Sequence, residues 1–113
     1  MDAFRRLVDA GKVRAIAASN LPVWRIAEAN TLCQLRGWPG YVAIEQRHTY
    51  FRPRHGCSFG PQLPITHDVK GYCQARNLIL IAYSILAQGA YTREDRPCPP
   101  STQVRTPRSD WTY

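Results

Sequence analysis

Three short apolar stretches of this 113-residue chain each run straight into residues that can hold a ligand. Residues 13–18 lead into Ser19 and Asn20; residues 41–44 lead into Glu45, Gln46, Arg47 and His48; residues 78–83 end on Tyr83 and lead into Ser84, Gln88 and Gly89. Hydroxyls, amides, a carboxylate and cationic groups are thus delivered at the same end of every stretch. In parallel α/β folds ligands collect where strands give way to loops at their carboxyl ends, so these positions stand where chemistry would be done. Taken alone, LILIAYSILAQG reads as a core strand and an ordinary turn. The other two stretches change that reading.

The elements that must position these groups follow from periodicity. LILIAY is six apolar or aromatic residues in a row, dense in Leu and Ile, and is expected to be a strand buried on both faces. Phe4, Leu7 and Val8 recur at helical spacing and Gly11 follows as a left-handed stop, so residues 2–10 read as the end of a helix. Pro22 fits a first helical position, and Trp24, Ala27, Thr31, Leu32 and Leu35 are expected to form one apolar face until Gly37 and the Pro39-Gly40 turn. Thr66 can cap a helix over residues 67–76 in which Val69, Tyr72 and Cys73 face inward, with Asn77 as its left-handed terminator. The order helix, strand, helix, strand, helix, strand, with crossovers long enough to return each strand parallel to the last, predicts α/β with a parallel sheet. Residues 46–64 carry three prolines and two glycines and are too long for a simple connection, which marks a functional loop or a lid.

Composition narrows the class. The chain suffices for one small domain with a real core but falls well short of the ~250 residues of a closed eight-stranded α/β barrel. No apolar run approaches the ~20 residues that a membrane span needs, and MDAFRRLVDAGK lacks a signal peptide's apolar core. Cytoplasmic localisation without a membrane partner is therefore expected. The net charge of +7 would suit an anionic partner, and Arg47, His48, Arg52, Arg54 and His55 interleave with Tyr50 and Phe51. No nucleic-acid-binding signature accompanies them, so a solvated loop is the preferred reading and nucleic acid is disfavoured. Cys33, Cys57, Cys73 and Cys98 contain no C-x-x-C pair and read as reduced thiols. His48, His55, Cys57 and His67 match none of the usual zinc spacings. After Tyr91 the sequence turns to Pro, Ser, Thr and Arg without periodicity, so residues 92–113 are expected to be a disordered or frame-shifted tail behind a domain of residues 1–91.

Together the motifs resemble the aldo-keto reductase family. LVDAGKVRAIAASNL is similar to a helix end and the fifth strand of that barrel, YVAIEQRHTY to the sixth strand, and LILIAYSILAQGAYTR to the seventh, covering about residues 1–97. The resemblance implies a partial (β/α)8 TIM barrel of about three parallel βα units. It also implies an oxidoreductase with a nicotinamide cofactor, NADPH by family habit, and a carbonyl substrate. Ser19 and Asn20 match the pair that hydrogen-bonds the nicotinamide carboxamide, and Tyr83 matches the aromatic that stacks on the ring. Ser84, Leu86 and Gly89 match positions along the pyrophosphate. Glu45 falls where the family has a carboxamide-binding glutamine, with Gln46 one residue on, and a one-residue slip would point that side chain to the opposite face. Ala17 stands where the family often has glycine, and Ile85 where it usually has proline.

The family's catalytic Asp, Tyr, Lys and His belong to earlier strands, so the chain by itself is expected to be inactive, and Tyr83 is not the proton donor. The abrupt loss of resemblance near Cys98 suggests a reading-frame change there, with Met1 as an internal start; a divergent tail on a short protein is the competing account. Unpaired sheet edges make self-association expected. A second reading is a small basic binding module that uses the loop from Arg47 to His55 for an anionic ligand.

Overall fold

A computed structural model describes residues 1–50, 59–89 and 91. Three parallel strands, β1 (Ile16–Ser19), β2 (Tyr41–Arg47) and β3 (Ile79–Tyr83), lie in the order β1-β2-β3. They alternate with helices α1 (Asp2–Asp9), α2 (Val23–Leu35) and α3 (His67–Arg76), and a 3-10 turn follows at Ala87–Gly89. This is the expected parallel α/β arrangement, and the α/β chain with a three-stranded parallel sheet is consistent with part of a TIM barrel. The expected 92–113 tail lies outside the described residues, as do Arg52, Arg54, His55 and Cys57 of the basic loop.

One face of the sheet makes the core. Ala18, Ile44 and Leu80 stand side by side in register and pack against Ile26 of α2 and Val69 and Cys73 of α3. Because side chains alternate along a strand, the next row, Ser19, Glu45 and Ile81, faces away from the helices. Gln46 and Ala82 return to the helix side, and Arg47 and Tyr83 again face away.

Local signals set the helix ends. The Thr66 hydroxyl accepts from the Val69 amide at 3.4 Å, and Asn77 closes α3 in the left-handed region at φ 53°, both as its sequence implies. Gly11 ends α1 at φ 67°. Pro22 sits one residue before α2 with extended backbone, at the cap rather than inside the helix.

Two expectations are corrected. The buried face of α2 is built from Ile26 and Cys33, whereas Trp24 is 60% exposed and Leu32 and Leu35 face outward. The reason lies in a polar anchor: Asn30 donates from Nδ2 to the Tyr41 carbonyl at 3.2 Å, and its Oδ1 accepts from the Tyr41 amide at 2.8 Å. This pairing turns the Ile26, Asn30 and Cys33 side toward the sheet and the more apolar side away. Gly40 leaves room for it, since a Cβ there would meet Asn30 Oδ1 at 2.8 Å. The second correction is β3, which is not buried on both faces. It lies at the sheet edge, and Ile79 and Ile81 on the side away from the helices are 63% and 41% exposed.

Candidate functional site

The carboxyl ends of the strands meet around Asn20. It follows β1 directly in the left-handed region, at φ 54°, a conformation Asn tolerates better than most residues. Its backbone amide donates to the Glu45 carbonyl at 3.3 Å, which carries the sheet pairing one residue past the strand. Its side-chain Oδ1 accepts from the Tyr83 hydroxyl at 2.8 Å and from the Leu63 amide at 3.0 Å, and Nδ2 donates to Ser19 Oγ at 3.2 Å. Both lone pairs of the Asn20 carbonyl are therefore used within the chain. Ser19 remains exposed beside it, and Tyr83 is half-buried with its ring fixed at both ends, by the strand and by its hydroxyl.

Glu45 and Gln46 part company. Glu45 is Ser19's neighbour in register and shares its face. Gln46 points into the helix side, where only 1% of it is exposed, and donates from Nε2 to the Leu21 carbonyl at 2.8 Å. Its Oε1 is buried without a hydrogen-bond partner among the described residues. The sheet thus brings together Ser19, Asn20, Glu45 and Tyr83, and leaves Gln46 bracing the segment after β1 from the other side.

Ser84, Leu86 and Gly89 form a tight turn after β3. Ser84 and Ala87 adopt positive φ, 60° and 44°, as does Gly89 at 84°. The Ala87 amide donates to the Ser84 carbonyl at 2.9 Å and the Gly89 amide to the Leu86 carbonyl at 2.8 Å, so these two donors serve the turn itself. Leu86 is strongly exposed.

The sequence did not reveal the part played by residues 59–65. This segment folds back over the end of β1. The Arg47 amide donates to the Leu63 carbonyl at 3.0 Å, the Ile65 amide donates to the Arg47 carbonyl at 2.9 Å, and Leu63 reaches Asn20. Its length and prolines marked the connection as functional, yet nothing in the sequence tied it to Asn20, a partner 43 residues away.

A planar amide fits this set of groups. The Ser19 hydroxyl or Asn20 Nδ2 can donate to an amide carbonyl, the Glu45 carboxylate can accept from an amide N–H, and the Tyr83 ring offers an apolar face.

Comparisons with known proteins bear on the family of the chain. The profile of the aldo/keto reductase family matches residues 1–111. Two proteins of Schizosaccharomyces pombe, each named "Putative aryl-alcohol dehydrogenase", are 28% identical over 93 residues, which cover 82% of this chain and 26% and 24% of theirs. The chain thus spans about a quarter of the length of the curated relatives it matches. No solved structure matches significantly. Ser19, Asn20, Glu45 and Tyr83 all lie in the motifs that carry the likeness, and the match runs through nearly all 113 residues: this chain belongs to the aldo/keto reductase family.

Proposed function

We propose that this chain supplies part of a nicotinamide-cofactor site for carbonyl reduction. The meeting of Ser19, Asn20 and Tyr83 at one strand end, tied by the 2.8 Å bond from the Tyr83 hydroxyl to Asn20, supports this reading. When bound, the cofactor supplies the hydride. The chain's own residues bind and orient. Ser19 and Asn20 donate to the carboxamide oxygen, Glu45 accepts from its N–H, and Tyr83 holds one face of the ring away from water. Ser84, Leu86 and Gly89 lie along the pyrophosphate. NADPH is preferred over NADH, and an aryl aldehyde and its alcohol are the substrate pair toward which the relatives' names point.

The 113-residue chain does not turn over by itself. Tyr83 spends its hydroxyl on Asn20, a bond that orients the ring and leaves no proton of Tyr83 poised for a carbonyl.

Titration of the purified chain with NADPH, followed by the cofactor's own fluorescence, tests both statements. Saturable binding is expected, weakened roughly 3- to 10-fold by Ser19→Ala, the value of one hydrogen bond. No oxidation of NADPH is expected on adding an aromatic aldehyde. Binding that never saturates, or that Ser19→Ala leaves untouched, defeats the proposed site; turnover defeats the proposed inactivity.

A further inference from the structure

Arg47 closes β2 directly beside Tyr83 and on the same side of the sheet. Only 8% of it is exposed. Its guanidinium carbon lies 4.2 Å over the Phe59 ring, Nη1 donates to Gln62 Oε1 at 2.7 Å, and Nε is buried with no hydrogen-bond partner among the described residues. The ion pairs of the described residues join Arg5 and Arg6 to Asp2 and Asp9, far away in the chain. Arg47 therefore carries a permanent charge into a covered position where an aromatic face and a neutral amide oxygen position it but do not neutralise it.

A guanidinium in that condition presents the chemistry of an oxyanion receptor. Its Nε and outer Nη donors form the fork that matches two oxygens of a carboxylate or phosphate, and stacking on a ring fixes the plane of that fork in advance. The backbone of Arg47 is held as firmly, between the Leu63 carbonyl and the Ile65 amide. Gln62 is the exchangeable partner, since a neutral oxygen yields to a charged one. We propose that Arg47, with Gln62 and Phe59, forms an oxyanion-recognition point beside the Ser19, Asn20 and Tyr83 strand end. It takes a phosphate of the cofactor or a carboxylate on the carbonyl substrate, and it rests on the reading of that strand end as a ligand site.

The test follows the Arg47 Nε–Hε resonance of the whole chain by nitrogen-15 NMR, assigned by its loss in Arg47→Lys. Pyrophosphate and benzoate are titrated separately at constant ionic strength, which removes general screening effects. A saturable shift of Nε–Hε with one of them is expected, and the tighter ligand identifies the source: pyrophosphate the cofactor, benzoate the substrate. Arg47→Lys and Arg47→Met, checked for native amide dispersion, should each weaken that anion at least ~10-fold, because both lose the fork. If neither anion moves the wild-type resonance saturably, or if folded variants bind as the wild type does, the guanidinium is only a stacking element and the proposal falls. A parallel NADPH titration watches the Tyr83 ring. An Arg47 response to anions with a silent Tyr83 would keep the oxyanion point and sink the proposed nicotinamide-cofactor site. A responding Tyr83 with a silent Arg47 would do the reverse.

Discussion

The Tyr83 hydroxyl donates to Asn20 Oδ1 at 2.8 Å, across 63 residues of chain, and so links the outer end of β3 to the residue that follows β1. The bond bridges the two strands that flank β2 in the sheet. If the two side chains act as a unit, Tyr83→Phe and Asn20→Gly, which removes the acceptor and tolerates the left-handed backbone at φ 54°, should not be additive. A double-mutant cycle by urea unfolding is expected to return a coupling of about 0.5–1.5 kcal/mol. A coupling indistinguishable from zero would mean that the bond contributes nothing to the fold.

The face of α2 that meets the sheet can be tested by truncation. Ile26 is fully buried, and Ile26→Ala should cost about 2–5 kcal/mol through lost burial and the cavity left behind. Leu35→Ala, on the outward face, should cost under ~1 kcal/mol. Equal losses at the two positions would restore the face that hydrophobicity alone suggests.

Gly40 has a positional reason to lack a side chain. In Gly40→Ala the new methyl would press on Asn30 Oδ1 and disturb both of its bonds to Tyr41, for an expected loss of about 1–3 kcal/mol. Adding Asn30→Ala to that variant should bring little further loss, since the pairing is already broken. Full additivity in thermal melts would speak against the contact.

Burial raises the Cys73 pKa above 9.0. A raised acid favours the neutral thiol in the folded chain, so its contribution to stability is complete below 9.0 and is lost as pH climbs through the folded value. Iodoacetamide should modify Cys73 more slowly than it does a free thiol, and the gap should persist past pH 9.0 until the fold yields. At the other extreme, the hydrogen bond from Arg5 is the main cause that holds the Asp2 carboxyl below 3.8. Whatever that exposed pair adds to α1 is present above 3.8 and disappears as pH falls through the lowered value. Far-ultraviolet circular dichroism from neutral pH into acid, with and without added salt, reads both the loss and its screening.

Ile79 and Ile81 leave an apolar strip on the edge strand, and such edges invite pairing between chains. Ile79→Thr with Ile81→Thr should lower the apparent mass in sedimentation velocity without a change in the circular dichroism spectrum. An unchanged sedimentation profile would show that this strip drives no association.

Legibility of the fold in the sequence tracked the range of the interactions. α3 was readable to the residue because Thr66 and Asn77 act within a turn of their own positions. The convergence of Ser19, Glu45 and Tyr83 on one strand end was readable because three apolar runs share a polarity and the crossovers are long enough to make them parallel. The inward face of α2 was not readable, since Asn30 takes its orientation from Tyr41, eleven residues on and in another element. Nor could composition show that β3 would stand at an edge, because a run of Leu and Ile reads the same whether one of its faces or both are covered. The stacking of Arg47 on Phe59 had no local signal at all: the two stand twelve positions apart in the sequence, and the pairing appears only once residues 59–65 have folded back.

The backbone bond from Ile65 to Arg47 sits one residue before Thr66, which caps α3. The rim of the sheet and the start of an outer helix are therefore joined by a lever three residues long, anchored at Leu63 and Ile65 and hinged on the cap. Pull on Leu63 at the rim, and the first winding of α3 feels the tug.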